Sequence, residues 1–195
     1  MIDSPIYRRE FGLTITHDHW LDGAVRCPSS NFNQRPSATD ISLLVIHAIS
    51  LPRGQFGGPF IEQLFTNCLD CSNDPGFADL VGVEVSAHLL IRRTGDIVQF
   101  VPFDKRAWHA GVSAFCGREN CNDFSIGIEL EGDEQTAYTD AQYGRLAEIT
   151  RELRRCYPAI QPDAIVGHSD IAPGRKTDPG VAFDWDRYRK LISTG

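Results

Sequence analysis

FSIGIELEG, residues 124–132, alternates without a break. Phe124, Ile126, Ile128 and Leu130 are apolar, whereas Ser125, Gly127, Glu129 and Glu131 between them are small or acidic. Successive side chains on a strand point to opposite faces, so period two predicts a strand whose apolar row enters a core. The other row then carries two carboxylates, Glu129 and Glu131.

Outward from this strand, the other elements are of two kinds. ISLLVIHAIS (41–50) is rich in β-branched residues and reads as a buried strand ending near His47. VEVSAHLLIRRTGDIVQFVPF (83–103) holds two strands around a Thr94-Gly95-Asp96 turn, and AIVGH (164–168) is a further short strand. TDAQYGRLAEITRELRRCYP (139–158) is a helix: Thr139 and Gln142 fit a capping box, and Tyr143, Leu146, Ile149, Leu153 and Cys156 form one apolar stripe. PFIEQLFTN (59–67) and DWDRYRKLIS (184–193) are shorter helices. Residues 1–40 read as largely irregular. The expected fold is α/β, a central mixed sheet flanked by helices, in one domain spanning 1–195.

Charge and composition narrow the function classes. The formal net charge is −7, with no basic cluster beyond RELRR (151–155), which argues against nucleic acid as a partner. No apolar run approaches the ~20 residues of a membrane span, and MIDSPIYRREFG is too polar for a signal peptide. The six cysteines then read as reduced thiols. Cys68 and Cys71 with Cys116 and Cys121 imitate a structural zinc site only loosely.

The chemistry gathers in GHSDIAPGRKTDPG, residues 167–180. His168 leaves a strand, and Asp178 follows across a turn stiffened by Pro173 and Pro179. Two histidines, His47 and His168, with one carboxylate, Asp178, are a usual ligand set for catalytic zinc, which leaves a position for water. The same residues allow a plainer arrangement: a His168–Asp178 hydrogen bond that stiffens the loop, with His47 packed in the core. Lys176 is placed either to stabilise an oxyanion or to be solvated. Glu129 is either a general base or a surface carboxylate.

CPSSNFNQRP, VIHAISLP, VSAHLLIRR, VPFDKRAWHAGVS, NDFSIGIELEG, YTDAQY and GHSDIAPGRKTDPG, in that order over about residues 20–190, resemble the AmpD-type anhydro-N-acetylmuramyl-L-alanine amidases. The resemblance implies an N-acetylmuramoyl-L-alanine amidase fold with one zinc ion per chain. Carried over position by position, it makes His47, His168 and Asp178 the metal ligands, Glu129 the catalytic carboxylate and Lys176 the oxyanion-holding group. The implied reaction is hydrolysis of the amide between the lactyl group of muramic acid and L-alanine. The implied substrate is a small muropeptide in cytoplasmic peptidoglycan recycling, with a regulatory link to β-lactamase induction and no obligate protein partner. Ala48, Glu84, Asn120, Ser169 and Gly174 depart from residues common in relatives, and none is a proposed ligand.

Other positions keep two readings. Trp108 and His109 suit a wall of the substrate groove, or plain packing. His88 is either substrate-facing beside the site or a packed histidine. His17 and His19 read as exposed, and Glu131 and Glu134 as solvated charge. LPRGQFGG (51–58) is either a lid or an ordinary surface loop. The competing functions are a recognition module without catalysis, and a periplasmic or phage amidase acting on intact wall.

Overall fold

The computed structural model describes residues 12–193, so the first eleven residues of the segment expected to be irregular lie outside it. Its strands are β1 (Val25–Arg26), β2 (Phe32–Gln34), β3 (Leu43–Ile49), β4 (Leu89–Ile91), β5 (Ile97–Gln99), β6 (Lys105–Ala107), β7 (Ala114–Phe115), β8 (Arg118–Glu119), β9 (Ser125–Glu131) and β10 (Ile165–Gly167). Its helices are α1 (Phe60–Phe65), α2 (Asp140–Cys156), α3 (His168–Ile171) and α4 (Trp185–Ser193). Six strands form one mixed sheet in the order β1-β5-β4-β9-β3-β10. The four strands from β4 to β10 run parallel to one another, and β5 and β1 run against them.

Parallel strands need crossovers, and these bring helices onto the sheet. Leu44, Ile46, Leu89, Ile91, Ile126, Ile128 and Leu130 supply one apolar face. Tyr143, Leu146, Ile149 and Leu153 of α2 cover it, with Tyr188 and Ile192 of α4. The capping box is present: Thr139 Oγ1 accepts from the Gln142 N–H, and the Gln142 side chain returns to the Thr139 N–H. Burying one Leu or Ile side chain contributes about 1.5–3 kcal/mol, so this uninterrupted face carries most of the apolar stabilisation of the sheet.

The opposite face is divided. At one end Leu90 and Val98 pack with Ile61, Leu64, Phe65 and Phe100. At the other, Leu43 and Val45 pack with Phe124, Ala164 and Ile171. Strand β9 lies between these clusters and presents Ser125, Gly127 and Glu129. Because both faces are covered, every residue of β9 is buried.

Some expectations need correction. Phe124 does not extend the core-facing row. Its backbone leaves the extended region (φ −132°, ψ 11°), and the ring turns to the other face beneath the Arg118 guanidinium. Residues 12–40 contain two short strands: β1 joins the sheet edge beside β5, and β2 pairs with β6. Neither short strand alternates enough to be seen in sequence. Cys116 and Gly117 form the turn of a β7–β8 hairpin, both at positive φ, as a two-residue hairpin turn requires. His19 is half-buried rather than exposed, with Nδ1 2.7 Å from the Tyr157 hydroxyl.

Candidate metal centre and active site

The site lies where three adjacent parallel strands end, the usual place for ligands in such sheets. His47 on β3 pairs in register with Glu129 on β9, so their side chains emerge side by side on one face. Gly167 of β10 pairs with Ile46, which delivers His168 beside His47 at the start of α3. The loop from 167 to 180 then closes on itself. The Ser169 N–H donates to the Asp178 carbonyl at 3.0 Å, and the Arg175 and Lys176 N–H groups both reach the Ala172 carbonyl. Tyr138 donates its hydroxyl to the Pro179 carbonyl at 2.8 Å. These ties bring the Asp178 carboxylate back over both histidines.

His47 Nδ1 and His168 Nδ1 are 3.0 Å apart, and each is 3.2 Å from Asp178 Oδ2. Ligand atoms about 2.0–2.1 Å from a tetrahedral zinc stand about 3.3 Å from each other. The triangle of two nitrogens and one oxygen matches one face of such a tetrahedron. Among the described residues, this is the one group of His, Cys, Asp and Glu able to share an ion.

The protonation pattern suits the same use. His168 Nε2 faces the Ala110 carbonyl at 3.2 Å. A carbonyl only accepts, so it can hold the ring proton on Nε2 when Nδ1 ligates a metal. Burial pushes His47 down to about 4, against the pull of Asp178, so its ring is neutral near pH 7. Burial raises the Asp178 carboxyl, but hydrogen bonds from His168 and His47 outweigh it and hold the group ionised, well below its ordinary range.

Glu129 is buried, and its Oε2 has no hydrogen-bond partner. Burial first, and the Asp178 charge second, push its carboxyl well above the usual range; Lys176 offsets this only partly. A buried polar atom without a partner is uncommon in folded proteins and points to a group that arrives with the substrate. Lys176 stands exposed on the rim of a cleft of about 610 Å³, also lined by Ala48, Ser50, Arg53, Thr177 and Asp178.

The remaining candidates divide. His109 is half-buried, with Nδ1 2.9 Å from His47 Nε2. Trp108 is half-buried with its indole N–H on Asn33 Oδ1, and it does not line the cleft. His88 is fully buried: Nδ1 accepts the Gly127 N–H, and Nε2 lies 3.1 Å from the Lys105 carbonyl. Burial pushes it down to about 3, so the packed reading describes its surroundings. Glu131 is not solvated; it is 2% exposed and paired with Arg92 at 2.7 Å. Glu134 is half-buried and accepts from the Thr177 hydroxyl. The 51–58 loop is tied down by the Gly57 N–H on Glu131 Oε1. Three residues that sequence reasoning missed also serve the site: Arg35 and Asn122, which bind backbone groups, and Ala110, whose backbone carbonyl meets the His168 ring; none leaves a pattern in the chain.

Comparison with known proteins bears on the family and the fold. A family model described as N-acetylmuramoyl-L-alanine amidase matches residues 37–181. The 1,6-anhydro-N-acetylmuramyl-L-alanine amidase AmpD of Escherichia coli (strain K12) is 61% identical over 174 residues, covering 89% of this chain and 94% of that protein. The crystal structure of a selenomethionyl AmpD derivative superposes with a TM-score of 0.88 at 58% identity, over 90% of this chain and 97% of that one. AmpDh3 from Pseudomonas aeruginosa, solved with anhydromuramic pentapeptide, gives a TM-score of 0.58 at 30% identity, over 83% of this chain and 64% of that one. The chain belongs to the N-acetylmuramoyl-L-alanine amidase family.

Proposed function

We propose that this protein hydrolyses the amide joining the lactyl group of 1,6-anhydro-N-acetylmuramic acid to L-alanine in small muropeptides, with one zinc ion held by His47, His168 and Asp178. The observation that carries the reading is the 3.0–3.2 Å triangle of their ligand atoms, with the unpartnered Glu129 carboxylate one strand away. The sequence identity to the AmpD enzymes supports the substrate class.

Zinc bound there would polarise the scissile carbonyl and acidify a water. The chain's own groups supply the rest. Glu129, kept basic by its dry surroundings, accepts the proton of the attacking water and delivers it to the departing alanine nitrogen. The Lys176 ammonium stabilises the negative oxygen of the tetrahedral intermediate. Burial of His47 and His168 excludes bulk water from the ligand side and holds the His47 ring neutral.

A single catalytic domain over 1–195 is part of the same reading, supported by one continuous sheet with His47 on β3, Glu129 on β9 and His168 directly after β10. So is a cytoplasmic place in peptidoglycan recycling, with an influence on β-lactamase induction; this rests on the likeness to AmpD alone. Among the described residues, no helix is long and apolar enough to cross a membrane.

The test is mass spectrometry of the protein with anhydro-muramyl tripeptide, as purified, after chelation and after zinc is restored. Release of anhydro-muramic acid and free peptide, lost with chelator and regained with zinc, is the expected result. Binding without cleavage by the zinc-loaded protein would leave a recognition module instead.

A further inference from the structure

Behind the two histidines lies a pair of groups that the proposed chemistry does not use. His109 Nδ1 is 2.9 Å from His47 Nε2, and the carbonyl of the next residue, Ala110, is 3.2 Å from His168 Nε2. Two consecutive residues thus meet the far nitrogen of each histidine. One side chain fixes both: Asn122 Oδ1 accepts the N–H of His109 at 3.1 Å and of Ala110 at 2.8 Å.

This bracket is itself anchored. The buried Arg35 guanidinium donates to the carbonyls of Asn122, Asp123 and Ser125, which holds the turn before β9. Arg175, from the loop that carries Asp178, donates to the Ala110 carbonyl at 2.7 Å. The His109 ring lies over Gly127 of β9, where a Cβ would stand 2.5 Å from the imidazole. Any side chain there would push the ring away from His47.

A nitrogen that binds a metal must offer a lone pair, so His47 ligating through Nδ1 keeps its proton on Nε2. The acceptor for that proton is His109 Nδ1, and His109 then carries its own proton on Nε2, 3.2 Å from Ser125 Oγ. Partners of this kind fix ligand tautomer and ring orientation in metal sites.

We infer, on the basis of the metal reading above, that His109 and Asn122 are positioning residues of the metal centre. His109 orients His47 through its Nε2 proton. Asn122 holds His109 and Ala110 in step, so that both histidines present Nδ1 to one point. His109 on this account acts through His47 and not by touching the sugar.

The test measures zinc affinity of the full chain by competition with a chromophoric chelator, alongside kcat and KM. The wild type binds one ion; failure to bind would sink the metal reading and this inference with it. Given wild-type binding, His109→Ala and Asn122→Ala weaken zinc affinity about 10–100-fold, with KM at saturating zinc little changed. His109→Asn, which keeps an acceptor near the Nδ1 position, and Asn122→Asp, which keeps Oδ1, recover most of the loss. Unchanged affinity in folded His109→Ala, or equal losses in His109→Ala and His109→Asn, overturns the inference while leaving the metal site standing. The zinc-loaded wild type gives an independent answer by ¹⁵N-histidine NMR. Protons on Nε2 of His47, His109 and His168 are expected, and a proton on His109 Nδ1 overturns the proposal.

Discussion

Glu129 and Glu131 share one face of β9, two residues apart, and their surroundings drive them in opposite directions. Glu129 Oε2 meets nothing, and its carboxyl is pushed well above the ordinary range by burial. For Glu131, burial also raises the carboxyl, but the Arg93 and Gly57 N–H groups and the Arg92 guanidinium outweigh it and hold the group below that range. Two carboxylates with separated affinities for protons are the pattern of one chemical and one architectural acid.

Glu129→Gln should therefore lose activity without losing the fold. The expected fall in kcat is about 10²–10⁴, the usual contribution of a positioned acid–base group. Thermal stability should hold or rise, because an unpartnered buried carboxyl is removed. Parallel kcat and melting measurements check this, and a variant with wild-type kcat would remove Glu129 from the chemistry.

Glu131→Gln should do the reverse. Removing one partner of a buried ion pair costs on the order of 3 kcal/mol, read as a lower urea midpoint, while kcat of the folded fraction stays near wild type. The pH dependence has a definite sign. A carboxyl held low in the folded state stabilises fully above its ordinary pKa and loses that contribution as pH falls through its folded value. Wild-type stability should thus decline on acidification below the ordinary glutamate range, and the variant should show a shallower decline. Identical pH slopes would contradict the pairing as a stabilising contact.

Lys176→Ala tests the rim of the cleft. Its side chain is exposed, so little stability should be lost. If the ammonium holds the oxyanion, kcat falls about 10²–10³-fold, as when one oxyanion donor is removed. A change confined to KM would assign Lys176 to substrate capture.

Two glycines make a matched pair. Gly127→Ala places a methyl 2.5 Å from the His109 ring and should weaken zinc binding as His109→Ala does. Gly144→Ala meets nothing within 4 Å on the solvent side of α2 and should stabilise by roughly 0.5–1 kcal/mol. Chelator competition on the first and denaturation of the second give the two readings.

What could be read from the chain and what could not follow one physical line. The alternation of Ile126, Ile128 and Leu130 is local, so β9 and its core face were visible, as was the Thr139–Gln142 capping box of α2. Phe124 was misread because its side is decided by the turn before it, not by period. Glu131 was read as solvated because Arg92 lies 39 residues away in the chain, and nothing near Glu131 announces it. Arg35, Asn122 and Ala110 were invisible for the same reason: Arg35 and Asn122 bind backbone groups and Ala110 offers its own backbone to distant side chains, all brought close only by the fold. His47, His168 and Asp178 were nameable as residue types in a suggestive order, but their convergence on one point rests on β3, β9 and β10 lying side by side.

That convergence sets a condition on maturation. His47 and His168 are 121 residues apart in the chain, and the pairing of β10 with β3 brings them together. While the last quarter of the polypeptide is still unsynthesised, His47 has neither of its companions. On the proposed ligand set, metal capture would therefore wait until Asp178 is made, and a protein truncated before Asp178 would carry at most an incomplete set. An ion held there would tie the earliest parallel strand of the site to the ligand loop, and its uptake would report that synthesis has run through Asp178.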